Sequence, residues 1–225
     1  MGKNILAAAL VFVLLGAMAY AAFFIAPTDA KQGLIYRILY LHVSSAWTGL
    51  TAFLISFAAN LLYVWRRQAR WDWLGVSAVE VGVAYTSVML VTGPIWAHPV
   101  WGIWWTWDAR LTSTFVMWLL YISYLLLRTL IEEPDRRALL SALYGIFAFL
   151  DVPLVFGSIR WWRTQHPQPI VMGGEGSGLD PLMYKVLMFS WLAMLALMTL
   201  LIRQRYRLEA MRSQLETIRH ELEAA

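Results

Sequence analysis

The sequence has no cysteine, and that absence removes several kinds of chemistry at once. Disulfides, thiol redox catalysis, thiolate-ligated clusters and thioether anchoring of a prosthetic group to this chain are all excluded. Charge is scarce as well: Asp, Glu, Lys and Arg make up 14% of the chain, where soluble globular domains carry roughly 25%. No internal repeat or low-complexity tract is present, and 225 residues suit one compact bundle better than two domains. What fills the sequence is apolar, with 60% hydrophobic residues. That composition is expected of an all-α polytopic membrane protein.

Six apolar runs are long enough to cross a hydrocarbon core of ~30 Å. The first covers 5–26, and it continues through Phe23, Phe24 and Ile25 beyond a signal-peptide-like Ala19-Tyr20-Ala21, so a retained helix is expected. Residues 27–40 are polar, then amphipathic, with Tyr36, Leu39 and Tyr40 suggesting a short interfacial helix. Further spans are expected at 42–65, 74–96, 111–131, 138–158 and 182–202. Arg66-Arg67-Gln68-Ala69-Arg70, Gly93-Pro94 and Glu132-Glu133-Pro134-Asp135 punctuate them. The organisation expected is a six-span membrane domain over 1–203 and an amphipathic helical tail over 204–225. In that tail Leu208, Met211, Leu215, Ile218 and Leu222 recur at spacings of three and four.

Lys and Arg set the orientation. With the N-terminus inside, twelve of the 18 basic residues fall on the inner side and six on the outer, which places both termini in the cytoplasm. The net charge of +4 follows from these loops and gives no reason to expect nucleic acid as a partner. Membrane lipid is the expected surrounding.

On the outer side stands the stretch around which the chain is organised, Trp101-Gly102-Ile103-Trp104-Trp105-Thr106-Trp107-Asp108-Ala109-Arg110-Leu111. Isolated tryptophans belong to an interfacial aromatic belt. Four in seven residues are too dense for anchoring alone, and suit a large planar apolar ligand. Two histidines share that side: His42 at the mouth of the second span, and His166 after the fifth, beside Trp161, Trp162 and Arg163. Haem fits this set. It is flat and largely apolar, takes neutral imidazole axially and carries two propionates that Arg110, Arg160 or Arg163 could meet. Zinc fits less well, because the outer histidines have no supporting cysteine and far too much aromatic surface around them.

Other residues have plainer readings beside functional ones. Asp108 stands just before a helical apolar run and is a good N-cap. Glu80 and Asp151 lie inside expected spans, but the first could reach the inner interface and the second could bond backbone freed by Pro153. His98 lies beside Pro99 within the tryptophan segment, and His220 on the surface of the tail.

The segment Trp101-Gly102-x-Trp104-Trp105-x-Trp107-Asp108-x-Arg110-Leu111-Thr112, with Trp161-Trp162-Arg163-Thr164-x-His166, resembles the tryptophan-rich signature of the cytochrome c maturation haem-handling proteins. Within them the chain is similar to the six-span haem exporter protein C family. The resemblance implies haem b, held non-covalently and transiently, with His42 and His166 as axial ligands and the tryptophan segment as platform. His98 departs from the basic residue expected there, and is expected not to coordinate. Also implied are an inner-membrane location with a periplasmic haem site, and transfer of haem to a membrane-anchored periplasmic haem chaperone. The implied partners are ABC transporter subunits and a small single-span subunit. No side chain is an evident nucleophile or acid–base pair, so a haem-binding scaffold is expected rather than a self-sufficient enzyme, with a lyase subunit as the other reading. The competing classes are a haem transporter, which needs a polar path through the bundle, and an electron-transfer cytochrome, which needs histidine pairs within spans.

Overall fold

Six helical stretches are long and apolar enough to cross a membrane: Asn4–Ile25, Leu34–Arg66, Ala69–Trp101, Ala109–Leu130, Pro134–Trp161 and Pro181–Glu216. The computed structural model of the protein describes residues 2–166 and 178–224, and among these there is no β-strand. The chain is an all-α polytopic membrane protein, as its composition indicates. Helix α1 (Gly2–Tyr20) continues into a π-turn at Ala21–Ile25. It packs on α7 and turns Ile5, Leu10, Phe12 and Val13 outward, as a helix in an apolar surrounding does.

Three spans differ from the apolar runs that announce them. The sequence suggests a separate interfacial helix ahead of a span at 42. Instead a 3-10 turn at Leu34–Arg37 runs straight into α2 (Ile38–Arg66). The reason is burial: Leu39 and Tyr40 pack with Ala21, Ala22 and Leu187 inside the bundle rather than at its surface. Helix α3 (Ala69–Trp101) runs through Pro94 and Pro99, past the expected end at 96. Each proline removes one N–H donor, but unwinding in an apolar medium would strand more backbone groups than the proline does. Helix α4 (Ala109–Leu130) follows. The fifth span is then two helices, α5 (Pro134–Phe149) and α6 (Asp151–Trp161). Pro153 has no N–H to give the carbonyl of Phe149, and α5 ends at that residue. Asp151 Oδ2 is buried and takes no hydrogen bond from a described residue.

Helices α2 and α3 form the central hairpin, with α4, α5 and α6 on one side and α7 (Pro181–Ala224) on the other. Phe53 stacks on Tyr121 with ring centroids 3.6 Å apart, amid Val79, Val83, Met117 and Val155. Several buried hydroxyls close on their own helices, as Thr86 Oγ1 does on the Gly82 carbonyl at 2.9 Å and Ser190 Oγ on that of Val186 at 2.7 Å. Cross-helix bonds lock the layers: Tyr85 donates to the Met194 carbonyl at 2.9 Å, and Trp118 Nε1 to Ser87 Oγ at 2.8 Å.

The end of the bundle away from the tryptophan segment is electrostatic. Arg128 forks onto both oxygens of Asp72 at 2.6 and 2.9 Å. Arg205 pairs with Glu80, so that acid of the third span has an ion-pair partner on α7. Helix α7 runs unbroken past residue 203 into the tail, whose Glu216 meets Arg137 at 3.4 Å. His220 lies outside the described side chains.

Candidate functional site

Every described residue of the expected site lies at one end of the bundle, where α2 begins, α3 ends, α4 begins and α6 ends. His42 is in the first turns of α2 and is partly exposed. One turn of α3 cradles its ring. Nδ1 is 3.0 Å from Thr92 Oγ1, the ring stands edge-on to Trp96, and Gly93 lies beneath it. A Cβ on Gly93 would come within 3.3 Å of His42 Cε1, so this glycine is the space the imidazole occupies. Trp96 is itself held, donating from Nε1 to Gln32 Oε1 at 2.8 Å and meeting the edge of Tyr36.

The tryptophan segment leaves α3 through Gly102, whose φ of 73° is the left-handed C-cap position, with its N–H on the His98 carbonyl at 2.8 Å. Trp101 therefore belongs to the last turn of α3, and Trp104, Trp105 and Trp107 to the extended link that follows. Trp104 stacks on His98 at 4.2 Å, and Trp105 packs edge-on to Trp107 and Phe115. Trp104 is 58% exposed and Trp107 73%, an unusual display for rings that could have been folded inward. Trp161 and Trp162, perpendicular to one another at 5.8 Å, extend this exposed aromatic surface from the end of α6.

Asp108 joins the two segments. Its Oδ1 accepts from the backbone N–H groups of Arg110 and Leu111 at 2.9 and 3.1 Å, the N-cap expected from sequence. Its Oδ2 accepts from Thr106 Oγ1 at 2.8 Å and, at 3.4 Å, from the N–H of Gln165. Thr164 also gives its hydroxyl to this carboxylate, and the same Oγ1 accepts the His166 N–H at 3.0 Å. Burial raises the Asp108 carboxyl, but the bonds from Thr106, Leu111, Thr164 and Gln165 outweigh it and hold the group below its ordinary value. The cap of α4 thus also anchors the link that carries His166.

The arginines divide. Arg110 reaches across to the Val155 carbonyl on α6 and lies 6.0 Å from the Phe156 ring, so it ties α4 to α6. Arg160 and Arg163 are exposed. Arg110 and the half-buried His166 are both within electrostatic reach of His42. Sequence reasoning missed Thr92, Gly93, Thr106 and Thr164. A threonine or glycine in an apolar run carries no signal of the ring across from it. Thr164 did stand in the motif, though without a role.

These residues fit a haem on observations of the fold itself. They supply a partly exposed imidazole, a second imidazole nearby, an exposed aromatic surface, and in Trp105 Nε1 a buried donor that no described acceptor uses. His42 and His166 would take the iron, the tryptophans the ring, and Arg163 a propionate.

Comparison with known proteins shows the family. The sequence model of the family described as Heme exporter protein C matches residues 2–221. The Heme exporter protein C of Bradyrhizobium diazoefficiens is 34% identical over 157 residues, which is 69% of this chain and 59% of that protein. That of Escherichia coli K12 is 34% identical over 184 residues, 81% of this chain and 73% of its own length. A putative cytochrome c biosynthesis ccmC-like mitochondrial protein of Marchantia polymorpha is 29% identical over 160 residues, 71% of this chain and 67% of its own.

Proposed function

This chain belongs to the Heme exporter protein C family, and from that premise we propose that it handles haem for cytochrome c maturation, holding it at the tryptophan-bearing end of the bundle and presenting it to an acceptor. The observation that carries the reading is the Asp108 junction. It joins the tryptophan link to the segment bearing His166, on the same end as His42. The cargo is haem b, bound non-covalently and transiently, with His42 and His166 as axial ligands. Trp101, Trp104, Trp105, Trp107, Trp161 and Trp162 provide apolar area, and Arg163 the charge for a propionate. Haem brings the iron and the vinyl groups; the chain contributes position. No described side chain at this end is an evident nucleophile or acid–base pair, so the reading assigns any covalent step to the acceptor, with this chain as scaffold.

The basic residues favour cytoplasmic termini in a bacterial inner membrane, which puts the haem site on the periplasmic face. The acceptor is then a membrane-anchored periplasmic haem chaperone, and ABC transporter subunits and a small single-span subunit complete the assembly. Passage of haem through this bundle is disfavoured by the Phe53–Tyr121 stack that fills its centre and by the pairing of Glu80 with Arg205. The test is purification in detergent, an absorption spectrum, and addition of the chaperone. A bis-histidine spectrum that passes to the chaperone supports the proposal. Haem that stays on this chain would make it an electron-transfer cytochrome.

The tail, 204–225, is the docking element for the transporter subunits. Glu216 turns toward Arg137 of its own bundle, while Leu208, Met211, Leu215 and Ile218 are left about half to two-thirds exposed. Acids such as Glu209 and Glu216 turned toward the bundle, with an apolar stripe left exposed, are not the pattern of a helix that ends in water. Truncation after Arg207 is expected to abolish co-purification with the transporter subunits while leaving the haem spectrum intact. Undiminished co-purification would remove the docking role.

A further inference from the structure

We propose that Thr92 is a positioning residue that fixes the tautomer of His42, making Nε2 the lone pair available to iron; this rests on the reading of His42 as a haem ligand. A threonine hydroxyl has one hydrogen. Thr92 Oγ1 lies 2.7 Å from the Val88 carbonyl and 3.2 Å from that of Met89, and carbonyls only accept. The hydrogen is therefore spent within α3, in the back-bond that hydroxyls make in apolar helices. Toward His42 Nδ1, at 3.0 Å, the same oxygen can only accept, and the backbone carbonyl of Met89 is a further acceptor for this ring. Nδ1 must then carry the proton of the neutral ring, which leaves Nε2 without one.

The arrangement is built rather than incidental. Thr92 is 8% exposed, so its oxygen has little water to turn to, and Val88, Met89 and Thr92 belong to one continuous helix that fixes the direction of the bond. Gly93 gives the ring its room, and Trp96, one turn on, holds its edge. An imidazole held by its second nitrogen is a better-oriented and more basic ligand, and loss of such a partner typically lowers metal affinity roughly 10- to 100-fold. The hydroxyl does this without introducing charge, which suits a partly buried ring among apolar neighbours.

The test is the imidazole nitrogen spectrum of the full chain, labelled at histidine, purified free of haem, and assigned by loss of one signal set in His42→Ala. The wild-type His42 is expected as the Nδ1–H tautomer, and finding it as Nε2–H would overturn the proposal without any variant. Thr92→Val keeps the shape and removes the acceptor. It is expected to mix the tautomers and to weaken haem binding roughly 10- to 100-fold, with both recovered in Thr92→Ser. A Thr92→Val protein whose tautomer and affinity match the parent would also overturn it. The reading of His42 as a ligand fails separately: His42→Ala would keep the parent haem spectrum while the Thr92-dependent tautomer persisted in the wild type.

Discussion

Replacing His42 or His166 by alanine is expected to turn the six-coordinate spectrum of bound haem into a five-coordinate one and to cut haem occupancy more deeply than any other single substitution here. The two histidines arrive from separate helices, one seated by Thr92 and Gly93 and the other carried by the Asp108-anchored link. Loss of either imidazole removes an iron bond outright. The effect should therefore exceed the roughly 100-fold typical of losing a supporting hydrogen bond. Added imidazole should partly restore the six-coordinate spectrum in both variants, because the vacated position remains open. His98→Ala is expected to keep the parent spectrum, since its ring is occupied in stacking on Trp104 at 4.2 Å. Trp104→Ala and Trp107→Ala should lower retention without changing the axial signature, because indoles contribute area and imidazoles the iron bonds. A His98→Ala protein that lost the axial signature, with either other variant keeping it, would reverse the assignment.

Most of this architecture is legible in the sequence because the membrane makes periodicity simple. A run of about twenty apolar residues has one stable state in lipid, a helix that satisfies its own backbone. The Asp108 cap is legible for a similar reason, since a carboxylate ahead of a helical run has nearby N–H groups to accept. Boundaries are less legible. Pro94 and Pro99 read as breakers by the rules of soluble helices, yet α3 passes through both, and the true interruption comes at Leu150 ahead of Pro153. One proline in lipid bends or breaks according to what its neighbours supply, which is tertiary information. The same limit hides Thr92. A hydroxyl in an apolar span announces a back-bond to its own helix, not that its other face meets a histidine fifty residues away. Nor does the sequence show that Arg110, one of three arginines that could meet a propionate, also gives its guanidinium to the Val155 carbonyl.

The two oxygens of Asp108 separate capping from anchoring, and substitution can tell them apart. Oδ1 takes the Arg110 and Leu111 N–H groups, while Oδ2 takes Thr106 and Gln165. Asparagine is as good an N-cap as aspartate, so Asp108→Asn should keep α4 and the melting temperature close to the parent. Its amide NH2, however, donates where Oδ2 accepted, and the Gln165 N–H loses its acceptor. Hydrogen bonds to a charged group contribute about 1.5–3 kcal/mol each, so the His166 link should loosen, seen as faster amide exchange at Gln165 and His166 and as weaker haem retention. Asp108→Ala should show the same loosening plus about 1 kcal/mol of lost cap stability. The pH dependence has a fixed sign. The Asp108 carboxyl titrates lower folded than unfolded, so its contribution is present above the ordinary carboxylate range and is lost as pH falls through the depressed folded value. Haem retention by the parent should accordingly fall at acid pH, with the Asp108-linked part of that fall missing in Asp108→Asn. An asparagine variant with parental exchange and retention would leave Asp108 as a cap alone, and the junction between the two outer segments would have to be sought in Arg110 and the α6 carbonyl it holds.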